Sequence, residues 1–221
     1  MNTTALMTFG IGLLAITNPL GNAALYLGLV GDRQRSEQKK ISFKCALGAA
    51  IIFVLVVWTG KDILTAFGIS IGSFQLAGGI VLTILGLSMV RGGHFSEDNG
   101  SPTTDKLSKL QNRAKVAIVP LATPIIAGPG SITTIVTHAK ALHTTVDKIA
   151  QSGICLLLAF LTWLVFYFAP TIVRVIGNEG IGIVSRIMGL IIMAIAAQMM
   201  LSGVQDAWPV LSVSASNLTS H

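Results

Sequence analysis

Two short clusters in this chain combine amides, hydroxyls and helix-breaking residues in the way a polar ligand site requires. The first is Asn18-Pro19-Leu20-Gly21-Asn22; the second is Gly128-Pro129-Gly130-Ser131, continued by Thr133 and Thr134. Asn18 and Asn22 stand four apart, the spacing that brings two side chains onto one helix face. Tyr26 continues that stripe. Their amides both donate and accept, so they can satisfy backbone carbonyls or bind a polar ligand. Ser131, Thr134 and His138 follow an i, i+3, i+7 pattern, with Thr133 and Thr137 alongside. A proline within a helix removes one N–H and displaces the carbonyl four residues back, here those of Ala15 and Ile125. Gly128, Pro129 and Gly130 let the chain unwind before a helix restarts at about Ser131. The first N–H groups of a helix have no intrahelical partner, and they attract an anion such as a carboxylate. The expected substrate-binding residues are therefore Asn18, Pro19, Gly21, Asn22, Gly128, Pro129, Gly130, Ser131, Thr133 and Thr134.

Other chemistries find little support. No acidic residue lies deep in an apolar run, so the usual carboxylate proton relay is missing. Asp62 and Glu179 fall at the ends of such runs. His138 and His143 lack a third ligand, so no metal site is expected. No nucleophile–base pair, phosphate loop or haem pattern occurs, so neither catalytic residues nor a cofactor are expected, and the chain reads as no enzyme. Arg186 reads as an interfacial anchor, and Gln75 and Gln198 as interhelical hydrogen-bonding groups. Cys45 and Cys155 fall near opposite membrane faces in the expected topology, so no bridge between them is expected. They read as free, buried, inert thiols, because reactive thiols need an electropositive, partly exposed setting.

The elements that carry these clusters are membrane spans. The 221 residues are 52% hydrophobic and 11% charged, against about 25% charged in an ordinary soluble domain. Uncharged runs recur at 1–31, 45–60, 63–90, 116–137, 151–173 and 187–205, each close to the roughly 20 residues that cross a bilayer. In hydrocarbon an unsatisfied backbone group costs several kcal/mol, so a break survives only where protein or a polar cavity surrounds it. The net charge of +6 does not indicate nucleic acid, because the basic residues cluster in connectors between apolar runs. No basic residue precedes Arg33, so the first span lacks a signal-peptide n-region and is expected to be retained. Arg33, Arg35, Lys39, Lys40, Lys44, Arg91, Lys106, Lys109, Arg113, Lys115, Arg174 and Arg186 fall on one side, against Lys61, Lys140 and Lys148 on the other. Positive residues mark the cytoplasmic side, so both termini are expected in the periplasm.

A shift of 110 positions lays Pro19 on Pro129, Cys45 on Cys155, 79–82 on 189–192 and Met89 on Met199. Three spans is an odd number, so a second copy must be inverted, and paired helix interruptions in inverted halves mark transport sites. The expected fold class is all-α: a polytopic membrane protein with six transmembrane helices in a 3+3 inverted repeat, helices one and four broken. Its parts are a first repeat at 1–92, a hydrophilic linker at 93–113, a second repeat at 114–205 and a flexible tail at 206–221.

At Asn18–Asn22, Pro120-Leu121-Ala122-Thr123-Pro124 and Ala127-Gly128-Pro129-Gly130-Ser131-Ile132, the chain resembles the MarC family of bacterial inner-membrane proteins. Phe67-Gly68-Ile69-Ser70-Ile71, Ala77-Gly78-Gly79 and Arg186-Ile187-Met188-Gly189-Leu190 carry the same likeness, which runs from about residue 5 to residue 205. That family is similar to the amino-acid exporter superfamily that includes lysine exporters, and one branch is described as neutral amino acid transporters. The resemblance implies a bacterial inner-membrane location and secondary transport of a small neutral amino acid. The implied partners are that small-molecule substrate, the lipid bilayer and a coupling proton or sodium ion. The rival expectations are a transporter or exporter of another small solute or drug, and a membrane-embedded thiol redox protein using Cys45 and Cys155.

Overall fold

A computed structural model describes residues 3–91, 126–138 and 144–218. Every element among them is helical: α1 (Thr3–Thr17), α2 (Pro19–Val30), α3 (Arg35–Ala66), α4 (Ile71–Val90), α5 (Pro129–His138) and α6 (Thr145–Leu218). α6 is two helices joined at Gly177, whose φ of 74° and ψ of 162° interrupt the helical path. Among the described residues five helices are long and apolar enough to span a membrane: Thr4–Val30, Arg35–Ala66, Ile71–Val90, Thr145–Gly177 and Glu179–Asp206. The expected sixth span, 116–137, is described only from residue 126 onward, and the 93–113 linker lies outside the described residues. Helix continues through Leu218, into the segment expected as a flexible tail.

The outside of the bundle is apolar. Ile11, Leu47, Ile51, Leu55, Ile84, Leu157, Phe160 and Leu201 are all exposed. A soluble protein rarely leaves so much aliphatic surface in water; lipid is the solvent that suits it. Inside, one core gathers Phe9, Leu13, Tyr26, Phe53, Ile135 and Phe166, and a second gathers Ile16, Leu82, Ile192 and Ala196.

The second core forms where α4 and the later arm of α6 cross antiparallel along a seam of small residues. A carbon added at Gly203 would lie 2.7 Å from the Gly72 carbonyl oxygen, and one added at Gly79 would lie 2.9 Å from that of Ala196. Gly86 and Gly189 face each other in the same way, with 2.7 Å and 2.8 Å to the opposite carbonyl oxygen. The pairs advance by seven residues on each helix, in opposite directions. Backbones approach this closely only where side chains are absent, which is how membrane helices gain packing energy when lipid is as apolar as leucine.

Candidate functional site: two helix breaks packed together

The first break is built by Asn18. Its backbone adopts the left-handed conformation, φ 36° and ψ 64°, and it is the one non-glycine residue with positive φ among those described. Asparagine tolerates that region because its short amide bonds locally. Here Oδ1 of Asn18 accepts from the Gly21 N–H at 3.2 Å and caps α2, while Pro19 opens the helix at the position where a missing N–H costs nothing. Asn22 reaches back, its Nδ2 donating to the Thr17 carbonyl at 2.7 Å. The two asparagines therefore repair the break from both sides. The repair falls at Thr17, not at the Ala15 carbonyl that the proline position pointed to, because the left-handed turn at Asn18 redirects the Gly21 N–H away from Thr17. Tyr26, one turn on, is committed elsewhere: its hydroxyl donates to the Gln38 carbonyl, and its ring stacks on Phe166 at 4.6 Å.

The second break opens two residues earlier than expected, because proline is itself a good first helical residue. α5 starts at Pro129, not Ser131, and its first i→i−4 bond runs from the Ile132 N–H to the Gly128 carbonyl. The N–H groups of Gly130 and Ser131 precede that bond. The hydroxyls are spent on backbone: Ser131 donates to the Ile126 carbonyl at 3.1 Å, Thr133 to Pro129 at 2.8 Å and Thr134 to Gly130 at 2.9 Å. What this break presents is main-chain N–H, with the side chains acting as supports.

The two breaks meet. α1 and α5 pack antiparallel, with Phe9 against the His138 ring at 4.8 Å and His138 Nε2 donating to the Ala5 carbonyl at 2.9 Å. At the opposite end, a carbon on Gly130 would lie 3.3 Å from Ile16, and Leu82 from the centre of α4 closes over the same glycine. Asn18, Ser131, Thr133 and Thr17 are all buried. Gly78 of α4 abuts Thr133.

One residue was missed in the sequence. Ser185, on the later arm of α6, is 4% exposed and its hydroxyl has no hydrogen-bond partner. It lies against the first break: a carbon on Gly21 would be 2.8 Å from Ser185 Oγ and 2.9 Å from the Asn18 amide carbon. Gln75 of α4, which the sequence did single out, is 5% exposed and its Oε1 is likewise unpartnered. The shift of 110 that aligns the prolines lays Gln75 on Ser185, and that was the available signal. An unsatisfied buried polar atom costs about 1–3 kcal/mol; Thr137 Oγ1, His138 Nδ1 and Gln151 Oε1 are also unpartnered, and Ser185 is the one that lies against the first break. The cysteines offer none: Cys45 and Cys155 are free and fully buried. Gln198, Arg186, Asp62 and Glu179 are exposed.

Long apolar helices, an apolar exterior and two interrupted helices packed break to break define a polytopic integral membrane protein. The chain belongs to the MarC family of integral membrane proteins, whose profile matches residues 3–208. It is 35% identical to the UPF0056 membrane protein of Buchnera aphidicola subsp. Schizaphis graminum, over 92% of this chain and 93% of that protein. It is 32% identical to the UPF0056 membrane protein YhcE of Escherichia coli K12, over 91% and 92%. With the UPF0056 inner membrane protein MarC of Salmonella paratyphi A it shares 30% identity, over 89% and 94%. No solved structure matches the chain.

Proposed function

We propose that this protein is a secondary transporter of small neutral amino acids, such as glycine, alanine or serine, working by alternating access between two inverted three-helix halves. The observation that carries the reading is the meeting of the two helix breaks, with the first N–H groups of α5 on one side and the unpartnered Ser185 hydroxyl against Gly21 on the other. A zwitterion needs donors for its carboxylate and acceptors for its ammonium. The Gly130 and Ser131 N–H groups, at the positive end of α5, serve the first need. The Ala15 carbonyl, which Pro19 cannot bond, and Ser185 Oγ serve the second. No charged side chain is among the buried groups described, which suits a substrate whose own side chain is neutral.

The seam supports the inverted arrangement. A shift by 110 with exchange of halves turns the Gly79–Ala196 contact into the Gly189–Gly86 contact. Leu82 and Ile192, a pair under the same shift, are both fully buried at its centre. In this reading the protein resides in a bacterial inner membrane with both termini periplasmic, moves its substrate with a coupling proton or sodium ion, and uses neither catalytic residues nor a cofactor.

Counterflow in proteoliposomes tests it. Alanine, glycine or serine is expected to exchange, and alaninamide, which lacks the carboxylate, is expected neither to exchange nor to compete. Absence of exchange with every amino acid in a full panel refutes the cargo. Equal exchange of alanine and alaninamide refutes the role of the α5 start.

A further inference from the structure

A groove of about 350 Å³ lies between α3 and the first arm of α6, lined by Lys39, Lys40, Phe43, Lys44, Trp163 and Tyr167. Its volume falls in the roughly 300–1,000 Å³ range of small-ligand sites. The arrangement follows from helix periodicity. Residues 39 and 43, and 40 and 44, form two adjacent columns on α3, while Trp163 and Tyr167 are one turn apart on α6. One wall is therefore lysine stems with the Phe43 ring, and the other the Trp163 and Tyr167 rings.

Among the described residues no salt bridge is formed by Lys39, Lys40 or Lys44, and the nearby Glu37 pairs with Arg33 at 3.7 Å. Lys39 instead lies over the Tyr167 ring, its ammonium 4.7 Å from the centroid. The groove also opens onto hydrocarbon: Phe43 is exposed at its edge, and the exposed Leu47 and Phe160 continue the apolar surface one turn deeper. Three cations at the rim of an apolar, aromatic-walled groove match a molecule with an anionic head and an apolar body. Aromatic rings of this kind prefer the headgroup level of a bilayer, and basic pockets between membrane helices take anionic headgroups.

We propose that this groove is a binding site for an anionic phospholipid, its phosphate held by Lys39, Lys40 and Lys44 and its glycerol and upper acyl chains lying against Phe43 and Trp163. The site is separate from the helix breaks and does not depend on what the protein transports.

Trp163 supplies the probe. In a Trp58→Phe, Trp208→Phe background it is the remaining tryptophan, and brominated acyl chains quench it when lipid occupies the groove. Each cation near a membrane surface contributes about fivefold to anionic-lipid affinity. Brominated phosphatidylglycerol is therefore expected to quench Trp163 at far lower mole fraction than brominated phosphatidylcholine in mixed micelles of the full chain. Replacing Lys39, Lys40 and Lys44 together by Gln is expected to remove that preference, a loss on the order of a hundredfold, while replacing them by Arg retains it. Three outcomes overturn the proposal: equal quenching by the two lipids, a preference for phosphatidylglycerol that survives in the Gln variant, or displacement of the bound lipid by millimolar inorganic phosphate. Circular dichroism of each variant verifies that the helices are intact.

Discussion

Asn18 performs two tasks that a pair of substitutions can separate. Its left-handed backbone and its cap on Gly21 are structural, whereas its amide, which lies with Ser185 Oγ against Gly21, is one of the groups expected from the sequence to bind substrate. Alanine at position 18 loses the cap, worth about 1 kcal/mol, and must hold a left-handed conformation that costs a residue with a Cβ roughly 1–2 kcal/mol. Asn18→Ala is thus expected to lose about 2 kcal/mol, up to roughly thirtyfold in the folding equilibrium. Glycine adopts positive φ freely and substitutes for a capping residue at a cost of only a few tenths of a kcal/mol. Asn18→Gly is therefore expected to unfold with nearly the wild-type midpoint in SDS titrations of mixed micelles, well above Asn18→Ala. In counterflow the order changes. Asn18→Gly keeps the fold but lacks the amide, and the loss of one hydrogen bond to a charged group, about 1.5–3 kcal/mol, lowers exchange about tenfold or more. If the glycine variant is as unstable as the alanine one, the account of the break is wrong. If it is stable and exchanges alanine at the wild-type rate, Asn18 does not touch the substrate.

Ser185→Ala removes a buried hydroxyl that has no partner. It is expected to stabilise the protein by about 1 kcal/mol in the same titration while raising the KM for alanine; a drop in stability with an unchanged KM contradicts both halves of the assignment. Gly→Ala is expected to change sign with location. At Gly86 the new methyl meets the Gly189 carbonyl oxygen at 2.7 Å and Met193 at 2.6 Å, so Gly86→Ala should cost about 1–3 kcal/mol. At Gly153, where nothing lies within 4 Å, the same change should gain up to about 1 kcal/mol from helix propensity. Like signs for the two, measured as unfolding midpoints, refute the seam.

Hydropathy and proline placement were enough to reveal spans and breaks, because both act within one helix. A run of about 20 apolar residues crosses a bilayer whatever its neighbours are, and Pro19 and Pro129 interrupt a helix whatever packs on them. The side chains within the breaks were less readable. Ser131, Thr133 and Thr134 have the right types for a ligand, yet the nearest acceptors are their own backbone carbonyls, and local geometry gives those the first claim. The asparagines likewise turn to nearby backbone, Asn22 to the Thr17 carbonyl and Asn18 to the Gly21 N–H. Start positions shift for the same reason: Pro129, not Ser131, opens α5.

The sequence by itself determined that this is a membrane protein with two interrupted helices, because burial in lipid and the loss of an amide hydrogen are properties of a segment. Tertiary structure alone decided that the interruptions face each other, that Gly72, Gly79 and Gly86 lie on Gly203, Ala196 and Gly189, and that Ser185 comes to rest unpartnered beside Asn18. Those facts depend on which helix lies against which. That choice is made by close backbone approach between segments more than a hundred residues apart, and no single segment carries it.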